Sequence, residues 1–381
     1  MALVVRNSRA RNQGGTVDES DIHHPLLELR LTPDRGLGLF AKKIIKRGVR
    51  LLSETPLLVV VSKKGPVSYL DLRQELVKLS PAQLETLYDL QHNPKLLRPK
   101  LEAQIRDYAE FARKFVKDDA GMDHFVDCQI KVKAIFDTNA TALRNKPGTA
   151  IFPLYSRANH SCTPNVYANY NPQLGSHTVH TIRDIHAGEE ILTAYIDIAQ
   201  ASDEREENLA KRGVTCQCPA CLPGDAFVTS ERRRQRIFDF KRCSYAYEGD
   251  QVRASDVPAY IIPRNPIEAL DRAHEIIKLL LQEGLLGMEL AQAYRWASKY
   301  SLQSGMLEKA KAFAQKEAEV ELYCLGKETG YMSEPSNAAG WTKQLEDMAD
   351  KDKVKFKMCE KRMMKEAKRL DKKAEKKAKK R

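Results

Sequence analysis

The sequence predicts an α+β fold, in which strand-rich segments surround a helical insertion and an all-helical region follows. Short apolar runs with strand-like alternation occupy residues 26–62 and again residues 135–200. Apolar residues at helical spacing fill residues 63–134 between them and dominate residues 265–345. With 381 residues, of which 42% are hydrophobic, the chain can bury a core, which excludes a globally disordered protein.

The net charge of +12 is concentrated at the C-terminus. Residues 361–381 contain 12 Lys and Arg against three acidic residues, so the rest of the chain is nearly neutral. Two interpretations of the tail at residues 346–381 stay open: a solvated, partly helical end, or a nuclear-localisation or nucleic-acid-contacting segment. Because no apolar run approaches the roughly 20 residues of a membrane-spanning helix and no secretory signal is visible, we expect a protein of the nucleus or the cytoplasm with no membrane partner.

Residues 1–134 divide into three segments that differ in their sequence pattern. Residues 1–25 are polar with little periodicity, so we expect them to be disordered. Residues 26–62 contain alternating apolar runs separated by turn residues and predict strands. Residues 63–134 predict helices, one of which begins where Ser80 offers an N-cap, Pro81 a first-turn proline and the next glutamine a capping box.

The second part returns to strands and then becomes helical. Residues 135–200 predict short strands with Asn, Pro and Gly in the loops between them. Residues 201–225 begin as a charged helix and end in a cysteine-rich knot, and residues 226–264 look like a connector that contains two prolines. Residues 265–345 predict an antiparallel helical bundle that is similar to a tetratricopeptide hairpin, ahead of the basic tail.

The strongest local signal is the knot, in which residues 216–221 read Cys-Gln-Cys-Pro-Ala-Cys. Three thiols so close together predict a structural zinc site, because zinc favours a closed tetrahedron of sulfur and nitrogen ligands. Such a site needs a fourth ligand, for which Cys128, Cys162, Cys243 and the histidines are candidates. Three reduced thiols without a metal are the alternative.

Three further motifs place polar residues at turns. Residues 35–41 read Arg-Gly-Leu-Gly-Leu-Phe-Ala, residues 157–165 read Arg-Ala-Asn-His-Ser-Cys-Thr-Pro-Asn, and residues 188–197 read Gly-Glu-Glu-Ile-Leu-Thr-Ala-Tyr-Ile-Asp. Taken alone, the second motif is a polar turn ended by Pro164, and the third is a turn that enters a strand with Tyr195 as a half-buried aromatic.

In this order the four motifs resemble those of the SET-domain methyltransferases. That family opens with a glycine-rich turn, carries an Asn-His-Ser-Cys-x-Pro-Asn loop that residues 159–165 match at all six fixed positions, and has a Gly-Glu-Glu strand that ends in a tyrosine. A Cys-x-Cys-x-x-Cys post-SET knot follows, as in residues 216–221. The helical parts look most like the SET-and-MYND subfamily without its MYND zinc finger, since residues 40–135 contain only Cys128.

The resemblance implies a β-rich SET domain of short sheets and assigns roles to individual residues. The residues implied in binding S-adenosyl-L-methionine are Arg35, Gly36, Leu37, Gly38, Asn139, Asn159, His160 and Tyr195. Tyr195 would also be the catalytic residue that orients the acceptor. The implied ligands of one structural zinc ion per chain are Cys162, Cys216, Cys218 and Cys221.

The implied activity is methyl transfer to the ε-amine of a lysine in a protein or peptide, histone or otherwise. A methyl group on a sulfonium is already activated, so the enzyme mainly orients an in-line displacement and supplies electrostatics. The attacking lysine must be neutral, and an apolar channel beside a positive charge would lower its usual pKa of about 10.4. The subfamily usually has aromatic residues two and four positions before the first knot cysteine, where this chain has Val214 and Arg212.

Three other functions stay open on the sequence. The first is a dinucleotide-binding oxidoreductase, because the Gly-x-Gly-x-x-Ala of residues 36–41 fits the glycine fingerprint of such enzymes. A strand-like segment follows, however, where that fingerprint needs a long helix. An inactive SET scaffold would bind protein partners through the helical region at residues 265–345. A nucleic-acid-binding protein would use the knot and the basic tail, but the knot has no second ligand pair or recognition helix beside it.

Overall fold

A computed structural model describes residues 24–62, 65–93, 119–143, 147–250, 257–328 and 337–351, together with residues 103, 105 and 107. The N-terminal segment predicted to be disordered and the predicted basic tail lie almost wholly outside the described residues. The predicted fold class is confirmed: short strands on both sides of a helical insertion are followed by a helical C-terminal region.

Short strands make up the β-rich part. They are, in chain order, β1 (Leu27–Thr32), β2 (Gly36–Ala41), β3 (Arg50–Glu54), β4 (Leu58–Val60), β5 (Thr141–Ala142), β6 (Thr149–Ile151), β7 (Asn159–His160), β8 (Val166–Asn171), β9 (Ser176–Thr181) and β10 (Leu192–Thr193). Burial does not alternate strictly along them: only the two end residues of β1 are buried, and every residue of β9 is buried.

The strands form small sheets in the orders β1–β2, β3–β9–β8, β4–β6–β5 and β7–β10. All of these pairs are antiparallel except β7–β10, which is parallel with Asn159 opposite Leu192. An isolated bridge joins Phe40 of β2 to Glu190. Apolar side chains of β1, β2, β3, β8 and β9 share one core with Ile191, so their burial holds the first strands against the segment that precedes β10.

The helical insertion leaves and re-enters the fold at one sheet, because β4 pairs with β6 and Val60 lies opposite Thr149. Its described helices are α1 (Tyr69–Leu76), α2 (Pro81–Tyr88) and α3 (Asp119–Asn139).

The serines before α1 and α2 form the N-caps. Ser68 and Ser80 each accept a hydrogen bond from the backbone three residues on, and each is closed into a capping box. The capping box predicted at Ser80 is therefore present. Leu72, Leu87 and Ile135, one from each helix, pack in a core with residues of β4 and β6.

After β10, helices dominate the residues that the structure describes. The helices are α4 (Ser202–Ala210), α5 (Asp225–Tyr247), α6 (Pro266–Gln282), α7 (Met288–Gln303) and α8 (Leu307–Leu325), and residues 338–351 are also helical. Contacts between α7 and α8 run in the antiparallel sense: the Ser298 hydroxyl donates to the Ala310 carbonyl at 2.7 Å, and Arg295 lies 2.7 Å from Glu317. Among the described helices, none combines the length and the apolar character that crossing a membrane requires.

Helix α5 lies where the sequence suggested a connector at residues 226–264. The difference has a physical reason. The side chains that α5 buries include Arg234 and Ser244 beside Ile237, so its buried face shows little apolar periodicity. The two prolines that suggested a linker come after the end of the helix.

By its internal contacts the chain divides into two compact units. The first comprises residues 1–239, 278–289 and 321–331, and the second comprises residues 240–277, 290–320 and 332–381. All the strands and all the candidate site residues belong to the first unit.

Candidate active site and metal centre

The glycine-rich turn lies against polar side chains from three distant parts of the chain. Gly36 has a φ of +71°, and a Cβ there would lie 1.5 Å from Nε2 of Gln91. A Cβ on Gly38 would lie 2.7 Å from Oε1 of Glu190 and 3.0 Å from Nδ2 of Asn159. Only glycine fits at either position without displacing its neighbours.

Glu190 connects the turn to the polar loop. Its carboxylate accepts a hydrogen bond from Nη2 of Arg35 at 2.6 Å and another from Nδ2 of Asn159 at 2.8 Å. The Glu190 side chain is 10% exposed, whereas that of Arg35 is 47% exposed. Glu190 is therefore nearly buried, while its partner Arg35 is partly exposed. The Glu190 carboxylate holds two predicted cofactor-binding residues, Arg35 and Asn159, one at each oxygen.

The loop at residues 159–165 is clamped onto the segment that leads to Tyr195. The Ser161 amide donates to the Thr193 carbonyl at 3.0 Å, which continues the parallel pairing of β7 and β10. Asn165, which is fully buried, donates through Nδ2 to the Glu190 carbonyl at 2.8 Å and accepts from the Leu192 amide at 2.8 Å. Buried polar side chains with satisfied hydrogen bonds favour one arrangement of the two segments.

Tyr195 is held at both ends. Its hydroxyl donates to the Ala158 carbonyl at 2.8 Å, and its backbone amide donates to Nδ1 of His160 at 3.0 Å. Burial raises the pKa of Tyr195 well above its ordinary value, and the neighbouring Tyr155 adds to this effect. The phenol is therefore neutral at physiological pH and can donate or accept a hydrogen bond.

His160 connects Tyr195 to the cysteine cluster. Since Nδ1 accepts from the Tyr195 amide, the proton of the neutral ring is on Nε2, which lies 3.4 Å from Sγ of Cys162. Burial lowers the pKa of His160 to about 4, so the ring is neutral at pH 7. With both ring nitrogens engaged inside the protein, only the backbone of His160 is left for the cofactor contact that the resemblance implied.

Four cysteines meet at one point. The sulfurs of Cys162, Cys216, Cys218 and Cys221 all lie within 4.8 Å of one another, and those of Cys162 and Cys221 are 3.6 Å apart. Zn–S bonds of about 2.3 Å in a tetrahedron place the sulfurs roughly 3.8 Å apart, so the donor set and its size fit zinc. Cys128 and Cys243, the other candidate cysteines, are not members of this group.

Two fully buried arginines pack against the cysteine group. Nη2 of Arg234 donates to the Cys162 carbonyl at 3.1 Å, and Nη2 of Arg205 lies 3.4 Å from the Ala220 carbonyl. Four thiolates around Zn²⁺ carry a net charge of −2. The two guanidinium groups would offset it in part, since Arg234 also pairs with the buried Glu283 and Arg205 lies 3.4 Å from Glu231. Sequence reasoning missed both residues, because an arginine in a charged helix is usually solvated.

Asn139 lies at the end of α3 and reaches the glycine turn only through another segment. Its Nδ2 donates to the Gln91 carbonyl at 2.7 Å, and the Gln91 side chain lies at Gly36. The next residues continue these contacts: the Asn93 amide donates to the Thr138 hydroxyl at 3.0 Å. We call residues 91–93 the strap. No sequence pattern marks the strap, because it is a short polar segment after a helix.

The model of the SET domain family matches residues 36–196. The histone-lysine N-methyltransferase set5 of Schizosaccharomyces pombe is 31% identical over 287 residues, which cover 74% of each chain. The N-lysine methyltransferase SMYD2 of Bos taurus is 39% identical over 127 residues, which cover 33% of this chain and 26% of SMYD2.

Among solved structures, Rubisco LSMT bound to AdoMet is similar at 15% identity. The match covers 78% of this chain and 88% of that chain, with a TM-score of 0.31.

Proposed function

Because the chain belongs to the SET-domain family of methyltransferases, we propose that it transfers the methyl group of S-adenosyl-L-methionine to the ε-amine of a lysine in a protein. One observation carries the proposal: the glycine turn, the loop with Asn159 and the segment with Glu190 and Tyr195 are distant in sequence and lie in one continuous network of contacts. The relatives named as lysine methyltransferases support the acceptor.

The cofactor would be held by the turn at residues 35–38 and by the polar loop. Gly36 and Gly38 leave space where any other side chain would collide with Gln91 or Glu190. The Asn159 amide and the Arg35–Glu190 pair supply donors, acceptors and charge for a zwitterionic nucleoside. Gln91 and Asn139 contribute the polar wall on the other side of the turn.

When bound, S-adenosyl-L-methionine supplies a methyl group that is activated by its positively charged sulfur. The protein has to orient a neutral amine toward it, and orientation is worth several orders of magnitude in rate. We assign this task to the Tyr195 hydroxyl, whose proton is directed to the Ala158 carbonyl and whose oxygen can then accept from the amine. Because burial raises the pKa of Tyr195, we assign it an orienting role and no role as a base.

We propose that the four cysteines bind one structural zinc ion. It would leave no open coordination position, so its task would be to fix the loop that bears Cys162 to the knot. We also keep as proposals a nuclear or cytoplasmic location and protein contacts by the helical C-terminal region.

The test is methyl transfer from radiolabelled S-adenosyl-L-methionine to proteins of a cell extract, with the labelled residue identified by mass spectrometry. We expect label on lysine ε-amines. Calorimetric titration with the cofactor distinguishes an active methyltransferase from an inactive scaffold. Cofactor binding without methyl transfer to any residue, or no cofactor binding at all, would contradict the proposed activity.

A further inference from the structure

Arg212 occupies a fixed position in the turn after α4. Its amide donates to the Leu209 carbonyl at 2.9 Å, and the Gly213 amide donates to the Ala210 carbonyl at 2.8 Å. Gly213 has a φ of +69°, which closes the turn in a conformation that favours glycine. The backbone at Arg212 is thus determined by bonds that do not depend on its side chain.

The strap holds the same turn from the other side. Nδ2 of Asn93 donates to the Gly213 carbonyl at 3.0 Å, and a Cβ on Gly213 would lie 1.9 Å from this nitrogen. Since the strap also contacts Gly36 and Asn139, it places the turn next to the proposed cofactor site.

The charge of Arg212 acts on the centre of the site. Burial is the main influence on the pKa of Tyr195 and raises it, and the positive charge of Arg212 is among the smaller influences that lower it. The guanidinium therefore lies within electrostatic range of the proposed catalytic hydroxyl, although the residue is exposed to solvent.

Carboxylates on the segments around the site are paired with other residues. Glu190 pairs with Arg35, the Asp89 side chain lies 2.7 Å from Arg157, and Glu207 lies 2.8 Å from Lys211. In the part of the chain that the structure describes, the Arg212 side chain has no hydrogen-bond or ion-pair partner. An exposed cation at a binding site favours a ligand that brings the opposite charge.

We propose that Arg212 selects acceptor lysines that have an acidic residue close by, so that the substrate class is an acidic, lysine-containing protein segment. This inference rests on the proposed methyltransferase function. An ion pair at the partly exposed rim of a site contributes about a twofold to fivefold preference, and a like charge there has the opposite effect.

The experiment uses peptides released from a whole proteome, an excess of radiolabelled cofactor and the full chain. Mass spectrometry identifies the methylated lysines and their neighbours. For the wild type we expect Asp and Glu within about three residues of the acceptor to be enriched, and we expect kcat/KM for a matched acidic peptide to exceed that for its alanine version about twofold to fivefold. Arg212→Glu should abolish or reverse the preference, Arg212→Lys should keep it, and added salt should weaken it.

Lys211→Glu is the matched control, because it changes the net charge equally at the adjacent, exposed position, where Lys211 pairs with Glu207. It should keep the acidic preference. Methylation of lysine without acidic enrichment, or equal enrichment for the wild type and Arg212→Glu, overturns the role of Arg212 alone. An equal rise of the cofactor KM on every peptide makes Arg212 a cofactor contact instead and also overturns it. Absence of lysine methylation by the wild type overturns the proposed function.

Discussion

The Tyr195 side chain depends on its neighbours for its orientation, since the ring is positioned by one bond at the hydroxyl and one at the backbone amide. Removal of the hydroxyl leaves the backbone bond and the packing of the ring against His160 unchanged. A variant that lacks only the Tyr195 hydroxyl therefore tests the function of this residue while the fold is kept.

We predict that Tyr195→Phe keeps the fold and changes cofactor affinity less than about threefold, but lowers kcat by roughly one to three orders of magnitude, as loss of an orienting hydrogen bond in a buried site does. Cofactor affinity is measured by calorimetry, and kcat is measured under saturating acceptor.

Tyr170→Phe is the control, because it removes a hydroxyl from another buried tyrosine, which packs against Phe152. It should methylate at the wild-type rate. If Tyr195→Phe does so as well, the orienting role given to the Tyr195 hydroxyl is wrong.

At single residues the sequence was most informative where chemistry restricts the choice. The knot predicted a metal site from three thiols, but residue patterns alone left several candidates for the fourth ligand. The structure brings Cys162 to the other three, from a position more than 50 residues earlier. Local spacing could not identify it, because the fourth sulfur arrives through the pairing of β7 with β10.

At the level of elements, amphipathic helices and alternating strands were predictable, and elements with polar contacts were not. The capping box at the start of α2 and the strand character of residues 26–62 follow from the local sequence. Helix α5 and the strap do not, because their interactions are made by Arg234, Gln91 and Asn93 with partners distant in sequence. Polar side chains in such positions look like those of solvated segments.

Strand β9 buries a histidine whose titration should be visible in the stability of the protein. His180 is 1% exposed, and burial lowers its pKa to about 4, with a further lowering from the charge of Arg50. In the unfolded chain a histidine has a pKa of about 6.5. Between these two pH values the unfolded chain binds more protons than the folded protein, so stability falls as the pH is lowered from about 6.5 to 4.

We predict that His180→Gln removes up to about 3 kcal/mol of the stability loss between pH 7 and pH 4, because glutamine does not titrate. Denaturant unfolding at a series of pH values measures the free energy of unfolding for both proteins. His186→Gln, the same substitution at an exposed position, is made in parallel as the control for the change of side chain itself. Equal slopes for the wild type and His180→Gln would show that His180 does not titrate in this range.

At the scale of the whole molecule, the proposed metal centre joins segments that precede and follow Tyr195. Cys162 belongs to the polar loop, the other three cysteines belong to the knot, and His160 extends the connection to the Tyr195 amide. Loss of the metal should therefore affect the cofactor site as well as the knot.

We predict one zinc per purified chain, and we expect Cys162→Ser to lower both the zinc content and the affinity for S-adenosyl-L-methionine, the latter by about tenfold or more. Zinc is measured by elemental mass spectrometry and affinity by calorimetry. Cys243→Ser, which changes a buried cysteine outside the group, should retain both. Zinc-free fresh protein, or Cys162→Ser with a full complement of zinc, would contradict this ligand set.

The pairing of Val60 with Thr149 has a further consequence for how much the length of the segment between them can vary. A segment that departs from and returns to adjacent positions adds a closure entropy that grows only with the logarithm of its length, by about 0.6 kcal/mol for each doubling. The strap and the side chains of Leu72, Leu87 and Ile135 must stay, because they contact the glycine turn and the apolar core. Changes of length in the parts of the excursion outside these contacts therefore cost the surrounding scaffold little.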